Sequence, residues 1–199
     1  MNRSIRLTPE QMNAQIFRYS ERRPHTNLTG DTDIPAEVYD ALNPRLFFML
    51  AHASGDEPEA SRPAVTGPRG LSVAIIELRP GERIPHHVHL RSRETYVCLE
   101  GRALVRWNDH GEHEAHLDPY DMIDVPPGVY RSFFCDGDVT VKLLGIVADD
   151  REGEPDDVYI AAAERAHATG RFGDEAVDRL SASTGLLFAD PNDEDPSPA

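Results

Sequence analysis

The chain has 199 residues and a mass of 22.1 kDa, which suits one domain with modest extensions and a core that needs no disulfide or metal staple. Twenty basic residues stand against 35 acidic ones, and the net charge of −15 repels nucleic-acid phosphates and anionic membrane surfaces alike. Cys98 and Cys135 make no disulfide framework, the start MNRSIRLTPEQ lacks a signal peptide's apolar stretch, and no apolar run is long enough to span a bilayer. The expectation is a cytoplasmic protein whose partner is a small molecule, with neither nucleic acid nor membrane as a partner.

In chain order, Thr8, Pro9 and Gln11 read as a capped helix start, with Met12 and Ile16 sharing a face. A second short helix opens at Pro35 and stops before Pro44, with Val38 and Leu42 on one side. Leu46 to Leu50 reads as a buried strand, and the Gly-, Pro- and acid-rich residues 53–70 as a long loop. Then come the apolar runs LSVAIIEL, TYVCLEG, ALVRW, MIDV, YRSFF and TVKLLGIV, broken by turn segments such as NDHGE and PPG. Short strands at this spacing predict an all-β sandwich or barrel over 70–148.

An arm of helical and extended character (1–69) precedes the barrel, and a helical extension (149–188) follows it. In that extension Asp156 and Asp157 precede a helix over YIAAAERAHA, and Gly173 and Asp174 open another with Val177 and Leu180 on one face. Residues 189–199 carry four acids, three prolines and no base, the composition of a disordered tail.

The chemistry concentrates in GERIPHHVHLRSRETYVCLEG, residues 81–101. With Val88 in a strand, His87 and His89 project to one face and His86 to the other, because strand side chains alternate. Glu94 begins the next strand, and if that strand pairs with the first its carboxylate can meet both imidazoles. Two histidines and one carboxylate leave metal positions open, a set that suits Fe(II) and also Mn, Ni, Co or Zn. Tyr96 and Cys98 share the parity of Glu94 and line the interior, Tyr96 as a hydroxyl on the pocket wall. His110, His113 and His116 read as solvated turn and edge residues.

The spacing G-x5-H-x-H-x4-E-x6-G, filled by Gly81, His87, His89, Glu94 and Gly101, resembles the first motif of the cupins. A second cupin motif, G-x5-P-x-G-x2-H-x3-N, is met by Pro126 and Gly128. Tyr120 stands at its first Gly, Arg131 at its His and Cys135 at its Asn. The resemblance implies an all-β cupin jelly-roll barrel with short helical N- and C-terminal extensions, and a homodimer.

It also implies a metal-dependent enzyme on a small organic molecule, with His87, His89 and Glu94 as ligands and Fe(II) favoured. Iron-type dioxygenation leads. A non-catalytic small-molecule-binding or sensor barrel, or a metal-free isomerase or lyase, are the alternatives. Arg131 cannot ligate, since its guanidinium stays protonated. If it points into the barrel it needs an anion, either Glu94 or an acidic oxygen of the substrate. The second choice makes Arg131, with Tyr96, a catalytic candidate and the substrate an anion.

Overall fold

The computed structural model describes residues 5–22, 34–42, 45–53, 62–149, 158–184 and 186–190. Most of the expected disordered tail, the acids Asp156 and Asp157 and much of the loop at 53–70 lie outside the described residues.

Among the described residues, twelve strands form two six-stranded sheets. In chain order they are β1 (Arg45–Ala51), β2 (Val65–Thr66), β3 (Leu71–Leu78), β4 (Arg83–His89), β5 (Arg93–Glu100) and β6 (Ala103–Trp107). Next come β7 (His113–Leu117), β8 (Met122–Val125), β9 (Arg131–Cys135), β10 (Val141–Ala148), β11 (Val158–Ile160) and β12 (Leu187–Phe188). One sheet runs β2-β1-β3-β10-β5-β8 and the other β12-β11-β4-β9-β6-β7. This is the all-β barrel that the runs of short strands predict, of the jelly-roll type that the resemblance implies.

Alternation builds the core between the sheets. Tyr96 and Cys98 of β5, Val105 of β6, Phe133 of β9 and Leu143 of β10 are all buried in one apolar cluster. Gly101 ends β5 with φ +75, where a Cβ would stand 2.8 Å from the Thr140 carbonyl oxygen, so the turn into β6 requires glycine.

The extensions close the barrel. β1 pairs antiparallel with β3, Phe47 opposite Ile75, so the apolar run at 46–50 covers a sheet edge of its own subunit. Helix α1 (Pro9–Asn13) carries the expected capping box between Thr8 and Gln11. It stops at Asn13, so Met12 and Ile16 share no helical face and both are exposed.

Helices α2 (Ala36–Leu42), α3 (Ala162–Phe172) and α4 (Asp174–Thr184) form a second core of Val38, Tyr39, Leu42, Ala168, Val177 and Leu180. The expected helix over YIAAAERAHA begins only at Ala162. Val158 to Ile160 instead pair with His89 to His87. An open edge on β4 offers unpaired backbone groups, and satisfying them outweighs local helix propensity.

Candidate metal centre and cavity

His87 and His89 lie near the end of β4, Glu94 near the start of β5, and all three are buried. Their ligating atoms lie within 4.8 Å of one another. Nε2 of His87 is 3.8 Å and Nε2 of His89 3.6 Å from the same carboxylate oxygen, Oε2 of Glu94. His86 faces the other way: its Nε2 lies 2.9 Å from the Asn108 carbonyl oxygen, and its ring stacks on Tyr130. His113 and His116 are exposed on the edge strand β7, and His110 is exposed beside it; none reaches the cluster.

Electrostatics prepare these groups to ligate. Nδ1 of His87 lies 2.7 Å from the Pro85 carbonyl oxygen and can only donate there, which leaves Nε2 as a bare lone pair facing Glu94. Burial, then the Arg131 charge, lowers the His87 pKa to about 4, so the ring is neutral. Burial alone would raise Glu94, but the Arg131 guanidinium and the two imidazoles overcome it and hold the carboxyl well below its ordinary range. Two imidazoles, that of His87 neutral, and one carboxylate therefore fit a divalent transition metal in type and spacing.

Arg131 is 1% exposed, and its Nε donates to Glu94 Oε2 at 3.1 Å. Nη2 donates to that same oxygen, and Nη1 to the Val129 carbonyl oxygen at 3.3 Å. It starts β9 directly opposite His87. Of the two anions weighed for it, Glu94 is the one it meets. Arg131 itself is not among the residues that line the cavity. A guanidinium without water must take the nearest anion, and Glu94 lies within reach.

The cavity encloses about 320 Å³. His87, His89, Glu94 and Tyr96 supply most of its polar groups. The Tyr96 ring packs on Phe133 at 4.2 Å between centroids. Burial, reinforced by the Glu94 charge, holds its phenol well above the ordinary tyrosine pKa. Leu42 from α2, Val158 and Ile160 from β11, and Leu186 just after α4 complete the wall, and sequence reading had assigned none of them to it. The β-branched and aromatic run Val158–Ile160 carries a strand signal that could have pointed there; Leu42 and Leu186 carry none.

Glu164 was missed as well. From α3 it takes both terminal nitrogens of Arg83 and accepts the His86 backbone N–H at 3.2 Å. It does so where the register between β4 and β9 slips, between Ile84 and His87.

Residues 74–147 match the family model described as Cupin domain, and they hold Glu94, Arg131 and both metal-candidate histidines. The barrel is a cupin domain. A stretch of 67 residues is 36% identical to the quercetin 2,3-dioxygenase of Bacillus subtilis (strain 168), covering 34% of this chain and 19% of that protein. Another of 69 residues is 36% identical to germin-like protein 3-1 of Oryza sativa subsp. japonica, covering 35% and 30%. The chain thus spans less than a third of the length of these curated relatives. Among solved structures, TT1209 from Thermus thermophilus is 29% identical with a TM-score of 0.37, over 40% of this chain and 72% of that one.

Proposed function

We propose that this cupin domain is a metal-dependent enzyme that acts on a small organic molecule, with dioxygenation as its reaction. The observation that carries the reading is the convergence of His87, His89 and Glu94 on the wall of one cavity. The similarity to a quercetin 2,3-dioxygenase supports the reaction class.

A divalent transition metal held there, Fe(II) before Mn, Ni, Co or Zn, supplies Lewis acidity and, as iron, one-electron redox chemistry. The chain does the rest. Pro85 fixes the His87 tautomer, and Arg131 holds the Glu94 carboxylate in place. Tyr96 keeps its proton at any working pH and is the donor to a substrate oxygen. Apolar walls exclude water from the reacting groups.

One observation favours a metal-free binding or isomerase-type barrel instead: Arg131 already occupies the Glu94 oxygen that faces both histidines. Elemental analysis separates the two. Protein purified without chelators is expected to carry about one transition metal per chain, and His87→Ala or His89→Ala to carry almost none. Wild-type protein loaded anaerobically with Fe(II), Mn, Ni, Co or Zn that keeps none after desalting overturns the metal-dependent reading.

A further inference from the structure

The cavity's polarity is segregated. His87, His89 and Glu94 gather within 4.8 Å of one another, and Tyr96 lies on the same face of β5 as Glu94. Ser72 adds one further hydroxyl. Away from these groups the wall is hydrocarbon: Leu42, Leu46, Phe48, Val158, Ile160 and Leu186 come from the arm and the C-terminal extension. Ile76, Ile84 and Val147 of the barrel continue it. No lysine or arginine is among the described residues that line the cavity. The guanidinium behind Glu94 is spent on that carboxylate and on the Val129 carbonyl.

We infer that the ligand is a compact molecule with a hydrocarbon body and one oxygen head group, such as an alkylated phenol. A sugar, a sugar phosphate and a dicarboxylate do not fit. The inference deepens the enzyme reading and rests on that cavity being the substrate site. The head group sits at the histidines and Glu94, where Tyr96 can donate to it. The body fills the rest of about 320 Å³, near the lower end of the roughly 300–1,000 Å³ of small-molecule sites.

Each sugar hydroxyl laid against Leu42 or Ile160 would lose its water partner and gain none. A second carboxylate at the far end of the ligand would lie against leucine and valine with no cation to meet it. The barrel alone does not impose this selectivity. The arm and the C-terminal extension do, because they supply the apolar residues that complete the wall.

Isothermal titration of the full chain tests the inference with 4-ethylphenol, 4-hydroxybenzoate, oxalate and glucose 6-phosphate. Each is titrated into chelator-treated protein and into zinc-loaded protein. In both forms 4-ethylphenol is expected to bind at least about tenfold more tightly than each of the others. Equal or tighter binding of any of the other three overturns the inference, as does absence of 4-ethylphenol binding up to its solubility limit.

Leu186→Ser, placed between elements rather than within one, is expected to weaken 4-ethylphenol about tenfold; an unchanged affinity counts against the body lying there. The two readings fail separately. Loss of metal retention with this ranking intact removes only the metal, and a reversed ranking with metal retained removes only the ligand class.

Discussion

Arg131 donates to the one oxygen of Glu94 that also faces His87 and His89. A metal at the histidines and the guanidinium of Arg131 therefore draw on the same carboxylate oxygen, and each weakens the other's hold on it. Arg131→Met leaves Glu94 buried without its partner, which is expected to cost the chelator-treated protein about 3–5 kcal/mol. The same change is expected to tighten zinc binding about tenfold or more, because a positive charge leaves the site. Thermal unfolding with and without zinc checks both halves, and a variant that loses stability without gaining metal affinity contradicts the shared-oxygen account.

The metal-free protein is expected to lose stability in mild acid. The unfolded chain protonates His87 near its ordinary value of 6.5, whereas the folded protein resists until about 4. Between those values the unfolded state binds more protons, so stability falls as pH drops through the window, by on the order of 3 kcal/mol. Glu94, held low in the fold, adds to the loss below about pH 4.5. Urea unfolding from pH 7.5 to 4.5 measures the slope, and His87→Gln is expected to flatten its upper part.

Glu164 ties the C-terminal helix α3 to the strand that carries the histidines, through Arg83 and the His86 N–H. Glu164→Gln keeps the shape but removes the charge, at an expected cost of about 2 kcal/mol. Because His86 adjoins His87, zinc affinity is expected to fall as well. Chemical unfolding and zinc titration read the two effects, and unchanged affinity in a destabilised variant would confine Glu164 to the fold.

Tyr120 occupies the position where the second cupin motif has glycine, and its backbone is left-handed, with φ +79. Its side chain is 84% exposed, so no packing offsets the strain. Tyr120→Gly is therefore expected to raise stability by about 0.5–1 kcal/mol despite glycine's larger unfolded-state entropy. A shift in the urea midpoint settles the sign.

Leu144, Val97 and Met122 lie on successive paired strands and form the accessible part of an apolar row on one face of a sheet, whose other members, Phe47 and Ile75, are buried within the chain. The row ends at Met122, which is 61% exposed. If the chain forms the homodimer expected from the family resemblance, a second copy packed on Leu144, Val97 and Met122 about a two-fold axis would cover them. Light scattering is expected to give twice the 22.1 kDa chain mass, and Met122→Glu to shift it toward the single chain.

Sequence alone determined what depends on local periodicity and local sterics. Alternation along one strand put His87 and His89 on one face and His86 on the other. Motif spacing singled out Glu94 as their partner, but it meets them from the opposite sheet, since β5 pairs with β10 and β8 and not, as expected, with β4.

Tertiary structure decided what depends on contacts between distant segments. The anion of Arg131 is a residue 37 positions away, chosen by burial and by how its strand is placed. Val158 to Ile160 became a strand because β4 had an open edge, a fact absent from their own neighbourhood. The cavity's apolar wall joins Leu42 to Leu186 through chain closure, which no local pattern encodes.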